Sequence, residues 1–276
     1  MAGSTPARPA APDTGSPSAR LVRLRGTTLG TGVPAVCVPL VATTPERAAA
    51  DARALPPGAA DVVEVRLDHV AGSAADPALV TATLRAVRAA LPDDVPVLAT
   101  FRSAREGGVQ PADDAAYAAV VRAAVRAAVD AGAADAVDVE LATPDALRDD
   151  LLAGARAHGL PVVVSTHDFT GTPPHDALVD VLRRQRDVGA DVCKVAVTPA
   201  DADDVLTLLR ATRTFAREAD RPVVTIAMGG LGLVTRLAGE VFGSALTFGS
   251  VGAASAPGQL DAVRLREVLA LVHDAL

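Results

Sequence analysis

Val33-Pro34-Ala35-Val36-Cys37-Val38-Pro39-Leu40-Val41-Ala42 is an unbroken apolar run, and Thr43-Thr44-Pro45-Glu46 follows it directly. A strand apolar on both faces has to be covered from both sides, as in a parallel sheet dressed with helices. The sequel reads as the start of such a helix: Thr44 can cap it, and Pro45 suits a first turn that needs no backbone N–H. The same succession recurs along the chain. Further strands are expected at Asp61–Asp68, Pro96–Arg102, Ala136–Leu141, Pro161–Asp168, Asp191–Thr198, Pro222–Met228 and Ala245–Val251, which makes eight. Helices are expected over Thr44–Leu55, Asp76–Leu91, Ala112–Ala131, Thr143–His158, Pro174–Val188, Ala200–Ala219, Leu231–Val241 and Gly258–Ala275. Gly132, Gly159 and Gly189 stand where helices should stop. Eight repeats of about 30 residues point to an α/β fold, a (β/α)8 TIM barrel spanning 21–276 as a single domain. An open doubly wound sheet has the same local pattern and is the structural alternative. Residues 1–20 are rich in Pro, Ala, Gly and Ser and read as a disordered tail, while Leu21–Thr28 has the weak alternation of a short N-terminal hairpin.

Composition narrows the function. The 276 residues carry a net charge of −7 and only 2% aromatics, with no tryptophan. Such a chain lacks the cationic surplus that phosphate backbones require and the stacking platforms used for single strands, so no nucleic-acid partner is expected. No run approaches the ~18 apolar residues of a membrane span, and the first twenty residues hold no apolar leader, so a soluble, cytoplasmic protein is expected. Cys37 and Cys193 lie inside apolar runs and read as buried free thiols in a reducing compartment.

Charges occur where a barrel should exclude them. In Val62-Val63-Glu64-Val65-Arg66-Leu67-Asp68, Glu64, Arg66 and Asp68 alternate onto one face. An isolated strand would turn that face to water. In a closed barrel helices cover the outside, so these charges must point inward and need partners or a polar ligand. The same holds for Arg102, Asp138, Glu140, Ser165, His167 and Lys194. Of the 26 Lys+Arg residues, only Lys194 is lysine, and it falls on a predicted strand. Lysine, unlike arginine, can shed its proton and attack a carbonyl; burial beside the fixed cations Arg66 and Arg102 is expected to favour the neutral amine.

His167, on the strand before Lys194, suits a proton shuttle. His69, His158, His175 and His273 have no comparable setting and read as surface or packing residues. Glu106, in the loop after the third strand, is placed to orient His167; a solvated loop acid fits the same spacing equally well. The glycine-rich stretch at Gly229, Gly230 and Gly232 is no dinucleotide fingerprint, since Thr235 stands where the third glycine belongs. The helix N-termini and Arg236 beyond it suit an anionic end of a small substrate. No cluster has metal-ligand spacing, and no metal or other cofactor is expected.

These residues resemble type I 3-dehydroquinate dehydratases. The likeness runs from about Val33 to the C-terminus through EVRLD (Glu64–Asp68), FRSAREGG (Phe101–Gly108), DVEL (Asp138–Leu141), STHDF (Ser165–Phe169), CKVAVTP (Cys193–Pro199), RLAGEVFGSALTFGS (Arg236–Ser250) and ASAPGQ (Ala254–Gln259). It implies a (β/α)8 barrel, usually a homodimer, that converts the small molecule 3-dehydroquinate to 3-dehydroshikimate in the shikimate pathway without a cofactor. By that likeness Lys194 forms an imine with the substrate ketone, His167 gives and takes protons, and Glu106 assists it. Glu64, Arg66 and Arg102 would meet substrate hydroxyls, Arg236 its carboxylate, and Ser255 and Gln259 would close over it. Some members place a serine on the first strand where this chain has Pro39, which offers no donor. Two other functions use the same residues: a class I aldolase, which also works through a barrel lysine, and a non-catalytic barrel that binds a small acid.

Overall fold

The computed structural model describes residues 21–252 and 258–276, so the expected tail and Ser255 lie outside the described residues. The chain starts with a hairpin of β1 (Val22–Leu24) and β2 (Thr27–Leu29), paired antiparallel. Its turn places Arg25 at φ 45°. The side chain holds that conformation by donating to Asp135 Oδ1 at 2.6 Å and to the Gly132 carbonyl at 2.8 Å.

Eight strand–helix units follow. They run β3 (Ala35–Leu40), α1 (Pro45–Arg53), β4 (Val62–Arg66), α2 (Pro77–Arg88), β5 (Val97–Thr100), α3 (Asp114–Ala131), β6 (Ala136–Glu140) and α4 (Asp145–Arg156). The second half runs β7 (Val162–Asp168), α5 (His175–Asp187), β8 (Val192–Val197), α6 (Ala202–Glu218), β9 (Val223–Ala227), α7 (Leu233–Leu237), α8 (Gly239–Phe242), β10 (Leu246–Ser250), the two-residue β11 (Leu260–Asp261) and α9 (Ala262–Ala275). The helix starts follow local chemistry: Thr44 accepts from the Arg47 N–H and Asp76 from the Ala78 N–H, each with proline in the first turn. The long α3 ends on Gly132 in the left-handed region at φ 56°, the stop expected of it.

The eight long strands pair in parallel in the order β10-β3-β4-β5-β6-β7-β8-β9, with β11 extending the β10 side. Closure decides between the two sheet topologies. Val223, the first residue of β9, bridges to Ser244, just before β10, and the Ala245 N–H donates to the Val223 carbonyl at 2.7 Å. The sheet therefore meets itself as a barrel, and the open doubly wound alternative falls.

Period-2 alternation then sorts the strand residues. Val63, Val65, Ala99, Val137, Val139, Val164, Cys193, Val195 and Val197 pack outward against the helices. The inward layer nearest the strand starts is apolar: Val62, Leu98, Ala136, Val163, Val192, Val224 and Leu246. The hairpin seals this end, with Val22, Leu24 and Leu29 in the same cluster. Above it the inward positions turn polar, which places the inward-facing strand charges toward the C-terminal mouth, the end where barrels of this kind keep their chemistry.

Boundaries shift where side chains compete with the ladder. The second barrel strand ends at Arg66 instead of Asp68, because the chain enters a 3-10 turn over Leu67–His69. The predicted helix Leu231–Val241 is two short pieces that meet at Ala238. Cys37 and Cys193 are both buried and unpaired, as expected. No helix of the described residues is long and apolar enough to cross a membrane.

Candidate active site

Lys194 projects from β8 toward the barrel axis with its side chain 6% exposed. Its Nζ lies 3.7 Å from Glu64 Oε1 on β4, 3.9 Å from Asp138 Oδ2 on β6, and 4.6 Å above the Phe248 ring on β10. The sequence led us to expect cations around this amine; its nearest charged neighbours are carboxylates. Its strand is pinned from outside by buried Gln185 of α5, whose Nε2 donates to the Lys194 carbonyl at 2.8 Å and to Thr166 Oγ1 at 3.1 Å.

Ser165 on β7 is the register partner of Lys194, and His167 stands one inward position further along that strand. Glu106 comes from the 3-10 turn Ala104–Glu106 after β5. Its Oε2 is 2.9 Å from His167 Nδ1 and accepts the His167 backbone N–H at 3.0 Å. Glu106 is thus buried against His167 and is not a solvated loop acid. With Nδ1 engaged, Nε2 is the ring nitrogen left for chemistry. Burial pushes the Glu106 carboxyl up to about 8; Arg102 opposes the rise, and Glu140 and Asp138 add to it. Burial, joined by the charges of Arg102, Lys194 and Arg66, pulls His167 well below the ordinary histidine range. Both directions favour an uncharged acid and an uncharged ring at neutral pH; Glu106 Oε2, which already accepts the backbone N–H, can accept the ring's Nδ1–H as well and leave Nε2 unprotonated, ready to act as a base.

Arg102 gathers the carboxylates of this floor. Its Nη1 donates to Glu140 Oε1 and to Ser165 Oγ, each at 2.9 Å, and reaches Glu106 Oε2 at 3.4 Å; its Nη2 donates to Asp138 Oδ1 at 2.9 Å. Burial works against this charge, but Asp138, Glu140 and Glu106 outweigh it and hold the guanidinium above its ordinary value. Glu140 is completed by Ser103, whose N–H and Oγ donate at 2.7 and 2.6 Å. Glu64 Oε1 accepts the Thr100 hydroxyl at 2.9 Å.

Arg66 is oriented by a residue whose part in the site the sequence did not disclose. Its Nε and Nη2 donate to the two oxygens of Asp68 at 2.8 and 2.7 Å, a bidentate fork. Asp68 is fully buried, and its Oδ1 and Oδ2 also accept the N–H groups of Arg102 and Val109, both at 3.3 Å. Burial would raise this carboxyl, but the Arg66 fork overrides it and holds Asp68 below its usual value. The only sequence signal was the two-residue spacing from Arg66, which reads as strand alternation until the 3-10 turn is seen.

The mouth cavity is lined by Glu64, Arg66, Arg102, Glu106, His167 and Lys194, with Arg236 and Gln259 beside them. Arg236, on α7, is 1% exposed and donates to the Phe248 carbonyl at 3.5 Å; burial pulls its guanidinium down to about 10. Ile226, Met228, Phe248 and Phe169 form the apolar wall. Phe169 lies across Gly107, where a Cβ would sit 2.3 Å from the ring and φ is 85°, so this approach requires glycine. His69, read from the sequence as a surface or packing residue, lines the cavity rim beside Asp68, with Nε2 3.9 Å from Oδ2. His175 and His273 lie outside the cavity lining, tied to Asp176 and Glu240. All predicted site residues that are described therefore converge on one cavity.

A closed parallel barrel with a buried amine, a carboxyl-held imidazole and fixed arginines at its C-terminal mouth defines a barrel enzyme for a small polar acid. The chain belongs to the type I 3-dehydroquinase family, whose model matches residues 36–275. It is 44% identical over 252 residues to the 3-dehydroquinate dehydratase of Listeria welshimeri, covering 91% of this chain and 98% of that protein. Against the Escherichia coli 3-dehydroquinate dehydratase the identity is 41% over 257 residues, 93% of this chain and all of the relative. Among solved structures, the type I 3-dehydroquinate dehydratase of Clostridium difficile with covalently modified comenic acid superimposes with a TM-score of 0.88 at 36% identity, covering 94% of this chain and 100% of the other. Membership sets aside the aldolase and the non-catalytic binding barrel.

Proposed function

We propose that this chain removes water from 3-dehydroquinate to give 3-dehydroshikimate, a step of the shikimate pathway, through an imine between Lys194 Nζ and the substrate ketone. The dehydration follows from family membership. The observation that carries the imine is the position of the chain's one lysine, buried on the cavity floor one inward layer below the imidazole of the adjacent strand.

The neutral amine adds to the ketone carbon, and water departs to leave an iminium. That positive nitrogen acidifies the neighbouring C–H, and His167 Nε2 takes the proton to form an enamine. The electron pair then expels the hydroxyl one carbon further on, which leaves as water with the proton that His167 returns. A second water hydrolyses the conjugated iminium and frees Lys194. Glu64, Arg66 and Arg102 would meet the substrate hydroxyls, Arg236 its carboxylate, and Ser255 and Gln259 would cover it. Pro39 supplies no contact to this set. Cyanoborohydride added during turnover should leave a reduced adduct on Lys194 visible by mass; unmodified lysine under those conditions would reject the imine.

The Glu106–His167 pair predicts a pH dependence. Glu106 is protonated below about 8 and ionises above it. An ionised Glu106 stabilises the imidazolium, so proton abstraction should quicken as pH rises through that value. Glu106→Gln mimics the protonated acid and should lose this alkaline limb while changing kcat less below it; a profile of kcat against pH checks this. Asp68→Asn should leave Arg66 without its charged fork partner and raise KM about tenfold or more, with a smaller change in kcat, measured by steady-state kinetics.

The reading extends to the chain as a whole. Residues 21–276 would form one catalytic unit with 1–20 outside it, and the protein would work in the cytoplasm, in keeping with two unpaired buried thiols. A homodimer is the expected assembly by family likeness, checked by sedimentation.

A further inference from the structure

We propose that Asp138 is the carboxylate that takes the ammonium proton from Lys194 when the imine forms, and returns it to the departing water. The inference rests on the imine reading above and goes beyond it, because that reading leaves open what makes the amine neutral.

The two oxygens of Asp138 are not equivalent. Oδ1 is occupied, accepting Arg102 Nη2 at 2.9 Å and Ser165 Oγ at 2.8 Å. Oδ2 is buried and receives no hydrogen bond among the described residues, and it faces Lys194 Nζ at 3.9 Å. A buried carboxylate oxygen without a donor is costly, and the lysine is the group that can relieve it. A movement of about 1 Å would bring Nζ to hydrogen-bonding distance. Arg102 and Ser165 thus do two things: they fix the carboxylate and leave one specified oxygen for the amine.

Glu64 is closer to Nζ, at 3.7 Å, but the same Oε1 accepts the Thr100 hydroxyl, and Glu64 lines the cavity where the substrate must sit. Asp138 has a fully buried side chain and does not line that cavity. It can hold a proton without competing for substrate hydroxyls.

The protons balance. Lys194 ammonium passes one proton to Asp138 Oδ2, and the neutral amine bonds to the ketone carbon while the C=O π pair moves onto oxygen. A second nitrogen proton reaches that oxygen, giving the carbinolamine. Asp138 then protonates the hydroxyl as the C–O bond breaks and water leaves. The iminium keeps the third proton and faces an ionised Asp138. Nothing beyond substrate and protein is required.

Other charges face this pair. Glu64 and Arg66 come from β4, and Arg102 from the loop after β5. Glu140 is on β6 with Tyr117 of α3 behind it, His167 with Glu106 is above, and the Cys37 thiol of β3 is below. All of them stay in place in an Asp138→Asn variant, whose side-chain oxygen can still accept from Arg102 and Ser165.

The test is rapid mixing with 3-dehydroquinate, quenching into cyanoborohydride, and intact mass against time at several pH values. Wild type should trap at a rate nearly constant across the neutral range. Asp138→Asn should trap about 10²-fold more slowly at neutral pH and recover about tenfold per pH unit, since solvent hydroxide must then take the proton. Asp138→Glu, which keeps a carboxylate, should retain the flat profile. An Asn variant with the wild-type rate and profile overturns the proposal. If the Asn variant does not fold, the Glu variant decides, and a tenfold rise per pH unit there overturns it. A wild-type protein that traps nothing removes the imine reading and this proposal with it, so the two failures are told apart.

Discussion

Lys194→Arg should yield a folded barrel whose turnover is lowered by about four orders of magnitude or more. The charge is kept, and Glu64 and Asp138 remain as its partners at the barrel floor. Guanidinium does not lose its proton at accessible pH, so no nucleophilic nitrogen is available. The substitution therefore separates charge from chemistry at one position. Turnover is followed by absorbance of the conjugated product, and folding by circular dichroism and a melting curve. The variant should also gain no mass with substrate and cyanoborohydride. A folded Arg variant retaining a tenth of the activity would sink the assignment, because only an electrostatic role survives that change.

His167→Ala should lower turnover by about 10²–10⁴-fold while leaving the imine able to form. The nitrogen of Lys194 and the carboxylates around it belong to other strands, so removing the imidazole leaves them in place. Glu106 keeps the backbone N–H of residue 167 and Arg102 as partners. The variant should accumulate the imine of unreacted substrate, which cyanoborohydride then fixes at the mass of bound 3-dehydroquinate less oxygen. Wild type under the same conditions should show the product adduct as well. Failure of a folded His167→Ala protein to trap any adduct would mean that the histidine is needed for imine formation itself, and the division of roles would have to be redrawn.

The two variants probe groups that the chain places 27 residues apart in sequence and that the sheet makes neighbours through the Ser165–Lys194 register pair. One feature makes that neighbourhood unusual for a protein interior. Four carboxylates, Glu64, Glu106, Asp138 and Glu140, share a buried space with Arg102 and Lys194. Such a cluster is tolerable only when each charge has partners, and Arg102, reaching three of the four carboxylates, supplies most of them. Loss of Arg102 would therefore disturb folding as well as binding, which makes it a poor first choice for testing substrate contacts.

Much of this was legible in the residue order. The apolar run at Val33–Ala42, the capped helix after it and seven further repeats specify strands and helices from near neighbours alone. Alternation with period 2 also announced that Glu64, Arg102, Asp138, Glu140 and Lys194 would turn inward once the barrel closed, and they do. What alternation could not announce is pairing. Asp68 reads as one more inward strand residue, yet the 3-10 turn folds it back onto Arg66. His69 read as a surface or packing histidine and lines the cavity rim through the same turn.

The residue order by itself determined the element types, the number of repeats and the identity of the chemically capable groups, because propensity, capping and periodicity act over a few adjacent positions. Only the tertiary structure decided that the sheet closes through Val223 and Ser244. It also decided that Arg102 clasps Asp138 and Glu140 across 36 and 38 residues, and that one oxygen of Asp138 is left facing Lys194. Those outcomes depend on how eight strands stagger around a common axis, a geometry that no short stretch of chain contains.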